Sequence, residues 1–333
     1  MYRLDPDQTA VVERARDIAE REIAPHAARV DADGEFPREA IAALAEAGFL
    51  GLTIASEYGG MGHGPRVAAA VLDEIAQRCA STGMIYLMHL CGVACYSAMP
   101  EHAEPYLRAS AAGDHLSTLA WSERGSRSQF WAPVSQAVAD DGGVTVSADK
   151  SWVTSAGKAD GYVGSTRSAG AEAPTDTMLY LVLRDDAGVS VAGGWEGLGM
   201  RGNASAPMRL ERAAVGDERA LSAPGQGLAT MLSVVLPIFQ IGNAAVCVGI
   251  AEAAVQATQR HLTGSGFANT GRRLADLPNL RARLAQMRIE TDRARAHLAG
   301  VVDAVETPGP TTTLLVLEAK AAASETAIQV TDI

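Results

Sequence analysis

Cysteine is scarce in this 333-residue sequence, which contains only Cys79, Cys91, Cys95 and Cys247. Four cysteines are too few for a disulfide framework in a chain of this length, so we expect them to be reduced. A metal set can be drawn from His89, Cys91, Cys95 and His102. Cys91 and Cys95, however, stand at helical spacing in an apolar segment, where cysteine usually packs as a small hydrophobic residue. The sequence therefore favours packing over a metal site.

Excess positive charge and an apolar leader are also missing. The net charge is -11 and the pI is about 5.1, which argues against nucleic acid as the main partner because phosphate binding needs clustered cations. Residues 1–29 are acidic and helical in pattern, so no signal peptide is predicted and a cytoplasmic location is expected. Residues 220–251 carry no formal charge, but polar side chains interrupt them. We expect a buried bundle helix there rather than a membrane span.

Helical periodicity dominates the first third of the chain. A start signal at Asp5 and Pro6 precedes apolar residues that recur on one face of residues 5–30, which predicts an amphipathic helix. A second helix follows Gly34. Residues 65–112 predict two or three further helices rich in Ala, Val, Leu and Met. Their larger side chains are expected in the core rather than at a cofactor, namely Met84, Tyr86, Met88 and Tyr96.

The pattern changes at about residue 117 and returns to helices after residue 222. Short alternating runs separated by Gly, Asp and Pro predict an all-β unit between these points. Long helices are predicted at 228–262, 274–305 and 311–333. Three antiparallel helices leave apolar faces open, so we expect the natural chain to run on into a further helix. We place the domains at 1–116, 117–223 and 224–333.

Two short segments of the β unit carry the clearest functional pattern. Residues 121–128, Trp-Ser-Glu-Arg-Gly-Ser-Arg-Ser, form a loop of hydroxyls and glycine that lets backbone N–H groups approach a phosphate or a heteroaromatic edge. A turn at 140–143 is predicted to close a hairpin. Residues 150–156, Lys-Ser-Trp-Val-Thr-Ser-Ala, then alternate as a half-buried strand does. Together the two segments predict a site for a phosphate or for the edge of a heteroaromatic ring.

The two segments resemble paired motifs of the acyl-CoA dehydrogenase family, a Thr/Ser-Glu-Pro-x-x-Gly-Ser-Asp loop and a Lys-x-Trp-Ile-Thr-Asn strand. Ser122 matches the leading hydroxyl of the loop and Ser128 matches its Ser. Trp152 and Thr154 match the strand motif. In that family the leading hydroxyl and the strand Thr hydrogen-bond the isoalloxazine, the Trp packs against it, and the loop Ser contacts the pyrophosphate. The resemblance therefore implies FAD, with cofactor contacts from Trp121, Ser122, Ser128, Trp152, Thr154 and Ser155.

The resemblance covers the whole chain. It implies a mostly helical α+β fold with an N-terminal helical domain, a central β-barrel and a C-terminal helical bundle. It also implies FAD-dependent oxidation of an acyl-CoA thioester to the 2-enoyl-CoA, with an electron-transfer flavoprotein or another electron acceptor as partner. Because residues 228–254 and 314–328 are strongly apolar, we expect a homodimer or homotetramer that buries them.

Several positions depart from the family pattern and leave alternatives open. Arg124 and Arg127 stand where the family has Pro and Gly. The chemistry needs a positioned carboxylate as base. Some family members carry this Glu on the first bundle helix, next to an Arg. This sequence has Phe239 and Gln240 at those two positions. We therefore expect no catalytic base within residues 1–333. A flavin-dependent monooxygenase or oxidase of the same fold, or a non-catalytic partner subunit, is the alternative.

Overall fold

Helices fill the first third of the chain in the computed structural model, which describes residues 2–127 and 129–333. The first helix begins with a capping box, in which the side chains of Asp5 and Gln8 each accept the other's backbone N–H and Pro6 follows at the first helical position. The segments are α1 (Pro6–Ile18), a π-helical turn (Ala19–Ile23), α2 (Ala24–Asp33), α3 (Arg38–Glu46), α4 (Pro65–Ala76), α5 (Ala80–Ala98) and α6 (Pro100–Ala112). The helices predicted in this region are therefore confirmed.

The middle of the chain consists of strands, as predicted. They are β1 (Ser117–Ala120), β2 (Val138–Asp140), β3 (Gly143–Val153), β4 (Gly161–Arg167), β5 (Thr177–Leu183), β6 (Val189–Val191) and β7 (Ala206–Gly216). One sheet has the order β1-β4-β5 and the other has the order β2-β3-β7-β6. Strands β1 and β4 are parallel, whereas the other pairs are antiparallel. The β2–β3 hairpin pairs Asp140 with Gly143, which confirms the predicted turn.

The two sheets do not close into the predicted β-barrel, so that prediction was wrong. Closure requires a continuous staggered register around the whole barrel. The segment between β1 and β2 lies between the two sheets instead. In the described part of the chain it pairs with the strands only through two isolated bridges, Glu123 with Lys150 and Gln136 with Arg167. Around these bridges the segment is a loop rather than a strand. It consequently connects two open sheets.

The last third of the chain is a helical bundle. It contains α7 (Gly227–Thr230), a π-helical turn (Met231–Val235), α8 (Leu236–Gly264), α9 (Pro278–Glu306) and α10 (Thr312–Asp332). The helix over 227–264 is long and apolar enough to cross a membrane, but half of its most apolar stretch is buried inside the protein. It packs against α4, α5, α9 and α10. Gly249 permits the close approach to α4, because a Cβ there would lie 2.6 Å from the Asp73 carbonyl oxygen.

Candidate functional site

A largely apolar cavity of about 310 Å³ lies between the sheets and helices α5 and α8. Helix α5 contributes Met84 and Met88, and the start of the bundle contributes Met231, Val235, Leu236, Phe239 and Gln240. The strand region contributes Leu119, Trp121, Ser122, Phe130, Ser151, Trp152 and Thr154. None of these side chains carries a formal charge. The cavity therefore suits a neutral, largely apolar group with a few hydrogen-bonding atoms.

The structure brings most of the predicted cofactor contacts together at this cavity. Trp121, Ser122, Trp152 and Thr154 line it. Ser155 is buried, and its backbone N–H donates to the Asn203 carbonyl at 2.9 Å rather than facing the cavity. Ser128 lies outside the described residues. Four of the six predicted residues thus line one cavity, and the role of each in cofactor binding stays a prediction from the family resemblance.

Trp152 has an unusual conformation and exposure for a large aromatic residue. Strand β3 pairs with β7 at Lys150 and again at Val153, and the register shifts between them so that Trp152 bulges out. Its φ is +53° and its side chain is 67% exposed. The indole meets Trp195 edge-on, with ring centroids 5.9 Å apart. A bulky residue held at positive φ costs about 1–3 kcal/mol and often marks a functional site.

Two hydroxyl groups lie at the polar side of the cavity. The Ser122 carbonyl accepts the Ser151 N–H at 2.8 Å, which fixes the Ser122 backbone beside β3. Its hydroxyl has no hydrogen-bond partner among the described residues. The Thr154 hydroxyl lies 3.1 Å from that of Ser205, and this pair is buried. Both hydroxyls retain capacity for a further hydrogen bond.

Glu123 follows Ser122 in sequence but does not line the cavity. Its carboxylate lies 2.7 Å from the Lys150 ammonium, and both side chains are buried. Burial opposes ionisation of Glu123, but the Lys150 charge and the hydrogen bonds from Lys150 and Ser135 hold its carboxyl pKa below the usual value. Glu123 is therefore an ionised partner within the protein rather than a free base.

Other carboxylates considered as bases also lie elsewhere. Glu252 pairs with Arg288 at 2.7 Å and with Arg295 at 3.0 Å. Glu290 pairs with Arg293 at 3.0 Å. Among the described residues that line the cavity there is no carboxylate, and Phe239 and Gln240 face it from α8.

The sequence reasoning missed several cavity residues. Met84 and Met88 were expected in the core, whereas they are only partly buried and line the cavity; Tyr86 and Tyr96 are fully buried as expected. Helix α5 is apolar on every side, so the sequence does not show which face meets a ligand. The sequence of the bundle did contain a signal for the cavity lining. Met231, Val235 and Phe239 recur every four residues, which places them on one face of a helix.

The alternative metal set is not assembled. His89 lies 2.8 Å from the Leu50 carbonyl oxygen and accepts the Ser117 N–H, while His102 lies 2.7 Å from the Ala220 carbonyl oxygen. Burial lowers the pKa of His89 to about 4, which keeps it neutral. In residues 2–127 and 129–333, no group of three or more His, Cys, Asp or Glu is arranged to hold a metal ion.

Three family models match the chain in succession. They are described as Acyl-CoA dehydrogenase, N-terminal domain over residues 5–114, middle domain over 118–213 and C-terminal domain over 225–333. "Probable acyl-CoA dehydrogenase fadE25" of Mycobacterium leprae is 27% identical over 333 residues, which covers 99% of this chain and 85% of that protein.

Solved structures show the same fold. Butyryl-CoA dehydrogenase from Megasphaera elsdenii superposes with a TM-score of 0.92 at 21% identity, over 99% of this chain and 87% of that chain. KijD3 in complex with FMN and dTDP-3-amino-2,3,6-trideoxy-4-keto-3-methyl-D-glucose superposes with a TM-score of 0.84 at 22% identity, over 98% and 82% of the two chains. One fold thus accompanies different ligands, so the function must be argued from the site.

Proposed function

The chain belongs to the acyl-CoA dehydrogenase family, and we propose that it oxidises an acyl-CoA thioester between Cα and Cβ to the 2-enoyl-CoA. Membership confirms the prediction of an FAD-dependent oxidoreductase. The single observation that supports the site assignment is Trp152, a strained and exposed ring beside the hydroxyls of Ser122 and Thr154. An exposed aromatic ring next to hydroxyls that can each form a further hydrogen bond matches a flavin, which has a planar apolar surface and a polar edge.

The residues present fit FAD, which supplies the hydride acceptor when bound. Trp152 would pack against the ring system, and the hydroxyls of Ser122 and Thr154 would hydrogen-bond its polar edge. Trp121 borders the same cavity, and Ser155 holds the adjacent turn through its bond to Asn203. The pyrophosphate contact of Ser128 stays a prediction from the family resemblance.

The helical wall of the cavity would receive the acyl group. Met84 and Met88 present flexible thioethers, and Phe239 presents a ring from the opposite helix. These side chains exclude water without placing a charge near the substrate, which strengthens hydrogen bonds to the thioester carbonyl. The proposed substrate is therefore an acyl thioester whose acyl group is neutral and apolar.

The proposal requires a proton acceptor that the described lining does not contain. The α-proton of a thioester is weakly acidic, so its removal needs a carboxylate or another base within hydrogen-bond reach. Glu123, Glu252 and Glu290 are each paired with a cation away from the cavity. We therefore propose that the described cavity lining binds flavin and substrate but does not itself supply the base.

The absorption spectrum of the purified protein, before and after anaerobic addition of an acyl-CoA mixture, tests the function. We expect a yellow protein with flavin bands and reduction that is slow in the 333-residue chain. Fast reduction by the 333-residue chain would contradict the missing base, and a colourless protein would contradict FAD binding.

A second candidate function is oxygen-dependent chemistry on a substrate other than acyl-CoA. It is favoured by the absence of a carboxylate from the described cavity lining, and the structure of KijD3 shows that this fold accommodates a sugar nucleotide with FMN. Fast reoxidation of reduced flavin by oxygen, without any reduction by acyl-CoA, would support it. A protein that never binds flavin would instead support a non-catalytic partner subunit.

Homo-oligomerisation is a further part of the proposal. Helix α10 exposes Leu314, Leu317 and Ile328, and α9 exposes Ile289. Exposed apolar side chains on two neighbouring helices favour burial against another copy, as a homodimer or homotetramer. Light scattering that found only monomer at micromolar concentration would contradict it.

We also propose a cytoplasmic location, an electron-transfer flavoprotein or similar electron acceptor, and domain boundaries at 116/117 and 223/224.

A further inference from the structure

A buried carboxylate closes the segment between β1 and β2 on itself. Glu123 is 6% exposed. Its Oε2 accepts the backbone N–H of Val134 at 2.6 Å and that of Ser135 at 2.7 Å. Its Oε1 accepts the Ser135 hydroxyl at 2.5 Å and the Lys150 ammonium at 2.7 Å. One side chain thus connects the beginning and the end of the segment.

Lys150 attaches this closed segment to both sheets. It belongs to β3, is 2% exposed, and also donates to the Ser165 carbonyl on β4 at 2.6 Å. The backbone provides a parallel attachment, since the Arg124 N–H donates to the Asp149 carbonyl at 2.9 Å. A buried ion pair with additional hydrogen bonds is costly to break from one side, because the remaining charge keeps no partner.

The attached segment carries part of the cavity wall. Phe130 lies between the two ends, lines the cavity and stacks on Trp121 with ring centroids 6.0 Å apart. Ser122 immediately precedes Glu123. We propose that Glu123 is a positioning residue, whose bonds to Val134, Ser135 and Lys150 hold Phe130 and Ser122 in place for the ligand. This inference rests on the proposed function of the cavity.

Substitution of Glu123 by glutamine tests whether its hydrogen bonds or its charge hold the segment. The NH₂ group of Glu123→Gln must face either the N–H donors of Val134 and Ser135 or the ammonium of Lys150, so one set of bonds is lost whichever way it turns. Lys150→Met added to Glu123→Gln removes the ammonium. The amide oxygen can then accept the two N–H groups. The double variant should therefore regain the closed segment without either charge, losing only the Lys150 bond to the Ser165 carbonyl.

The experiment measures the FAD dissociation constant and, in FAD-free protein, the rate of tryptic cleavage after the exposed Arg124. For Glu123→Gln we expect about tenfold weaker FAD binding, equivalent to about 1.4 kcal/mol, and roughly fivefold faster cleavage. Both should return to within about twofold of wild type in the double variant. Asp149→Asn is the matched control, because it removes an exposed carboxylate from the same strand as Lys150, 3.0 Å from Arg209 on β7, and should change neither value.

If Glu123→Gln does not fold, Ser135→Ala takes its place, because it removes only the hydroxyl donor to Glu123. It should accelerate cleavage by a smaller factor. Unchanged cleavage and FAD affinity in Glu123→Gln or Ser135→Ala would overturn the positioning role, and so would a double variant that stays as open as the single one. A wild-type protein that binds no FAD would overturn the proposed function. The cleavage rates, which are measured without FAD, would still test whether Glu123 holds the segment.

Discussion

Helix α8 borders two cavities of opposite chemistry. Near its start, Phe239 and Gln240 face the apolar cavity of about 310 Å³. Farther along, Glu252 and Gln256 line a cleft of about 590 Å³ against α4 and α9. The walls of this charged cleft carry Asp73, Glu74, Glu252 and Asp292 together with Arg16, Arg78, Arg288 and Arg295.

The charged groups of the cleft form ion pairs, among them Arg16 with Glu74 at 2.8 Å and Arg288 with Glu252 at 2.7 Å. Asp73, which is 3% exposed, accepts from Arg295 at 2.8 Å and from the Tyr2 hydroxyl at 3.0 Å. Arg295 also donates to Glu252 at 3.0 Å. Buried charges are tolerated when each has partners of this kind. The network ties the N-terminal helices to the bundle, so its role is structural.

The apolar cavity differs because its polar and aromatic groups are left incomplete. The Ser122 hydroxyl has no partner within the described chain, and the Trp152 ring stands exposed in a strained conformation. The charged cleft is thus structural, although it is the larger of the two. The apolar cavity retains groups that can still bind a ligand. Substitutions in the two regions should therefore separate stability from cofactor binding.

The largest expected effect comes from Arg295→Leu. Removing this guanidinium leaves Asp73 and Glu252 without their shared partner, which should lower the free energy of unfolding by about 3–5 kcal/mol. Urea unfolding of the FAD-free protein measures it. Arg293→Leu, on the same helix but in an exposed pair with Glu290, should have little effect. Equal stability of the two variants would show that the network contributes no more than a surface pair.

The same network predicts a loss of stability in acid. Burial opposes ionisation of Glu252, but Arg288 and Arg295 outweigh it and lower its carboxyl pKa to about 2. Because this pKa is below the unfolded value, the stabilisation is complete above about pH 4.5 and is lost as the pH falls towards 2. With partial solvent screening we expect about 2 kcal/mol. Unfolding of Glu252→Gln should be less pH-dependent over this range; an unchanged dependence would contradict the assignment.

In the apolar cavity, two substitutions of Trp152 separate the ring's contribution to FAD binding from the strain in its backbone. Trp152→Gly and Trp152→Ala both remove the ring, which should weaken FAD binding by about 0.5–1.5 kcal/mol. Glycine accepts positive φ without strain, so the FAD-free Gly variant should be about 1 kcal/mol more stable than the Ala variant. Flavin fluorescence titration and urea unfolding measure the two effects. If alanine were the more stable substitution, the strain argument would fail.

The sequence predicted the site best where its residues are close along the chain. Trp121, Ser122, Trp152 and Thr154 occupy two short segments, and the resemblance of both segments to paired family motifs predicted that they meet. It did not predict the bulge in β3. Simple alternation places Lys150 and Trp152 on one face, whereas the register shift leaves Lys150 buried and Trp152 67% exposed.

Long-range relations were harder to predict. The closed barrel was wrong because a loop, rather than a strand, spans the two sheets. The lining by Met84 and Met88 was missed because α5 is apolar all round. The charged cleft combines Asp73, Glu252 and Arg295 from three helices, and each of them alone reads as a solvated charge. Such partners are selected by packing between elements, which single-sequence periodicity does not record.

A smaller structural change than either Trp152 substitution is Thr154→Ala, which removes only one hydroxyl group and one methyl group. Loss of one hydrogen bond to the flavin should weaken FAD binding by about 0.5–1.5 kcal/mol, whereas Thr154→Ser keeps the hydroxyl and should bind like wild type. The Thr154 hydroxyl also lies 3.1 Å from that of Ser205, so a loss could arise indirectly. Ser205→Ala separates the two causes, because it removes the neighbour but leaves Thr154 able to reach a ligand. If Ser205→Ala weakened FAD binding as much as Thr154→Ala, the direct contact would be refuted, since the pair would then act only by holding the end of β3.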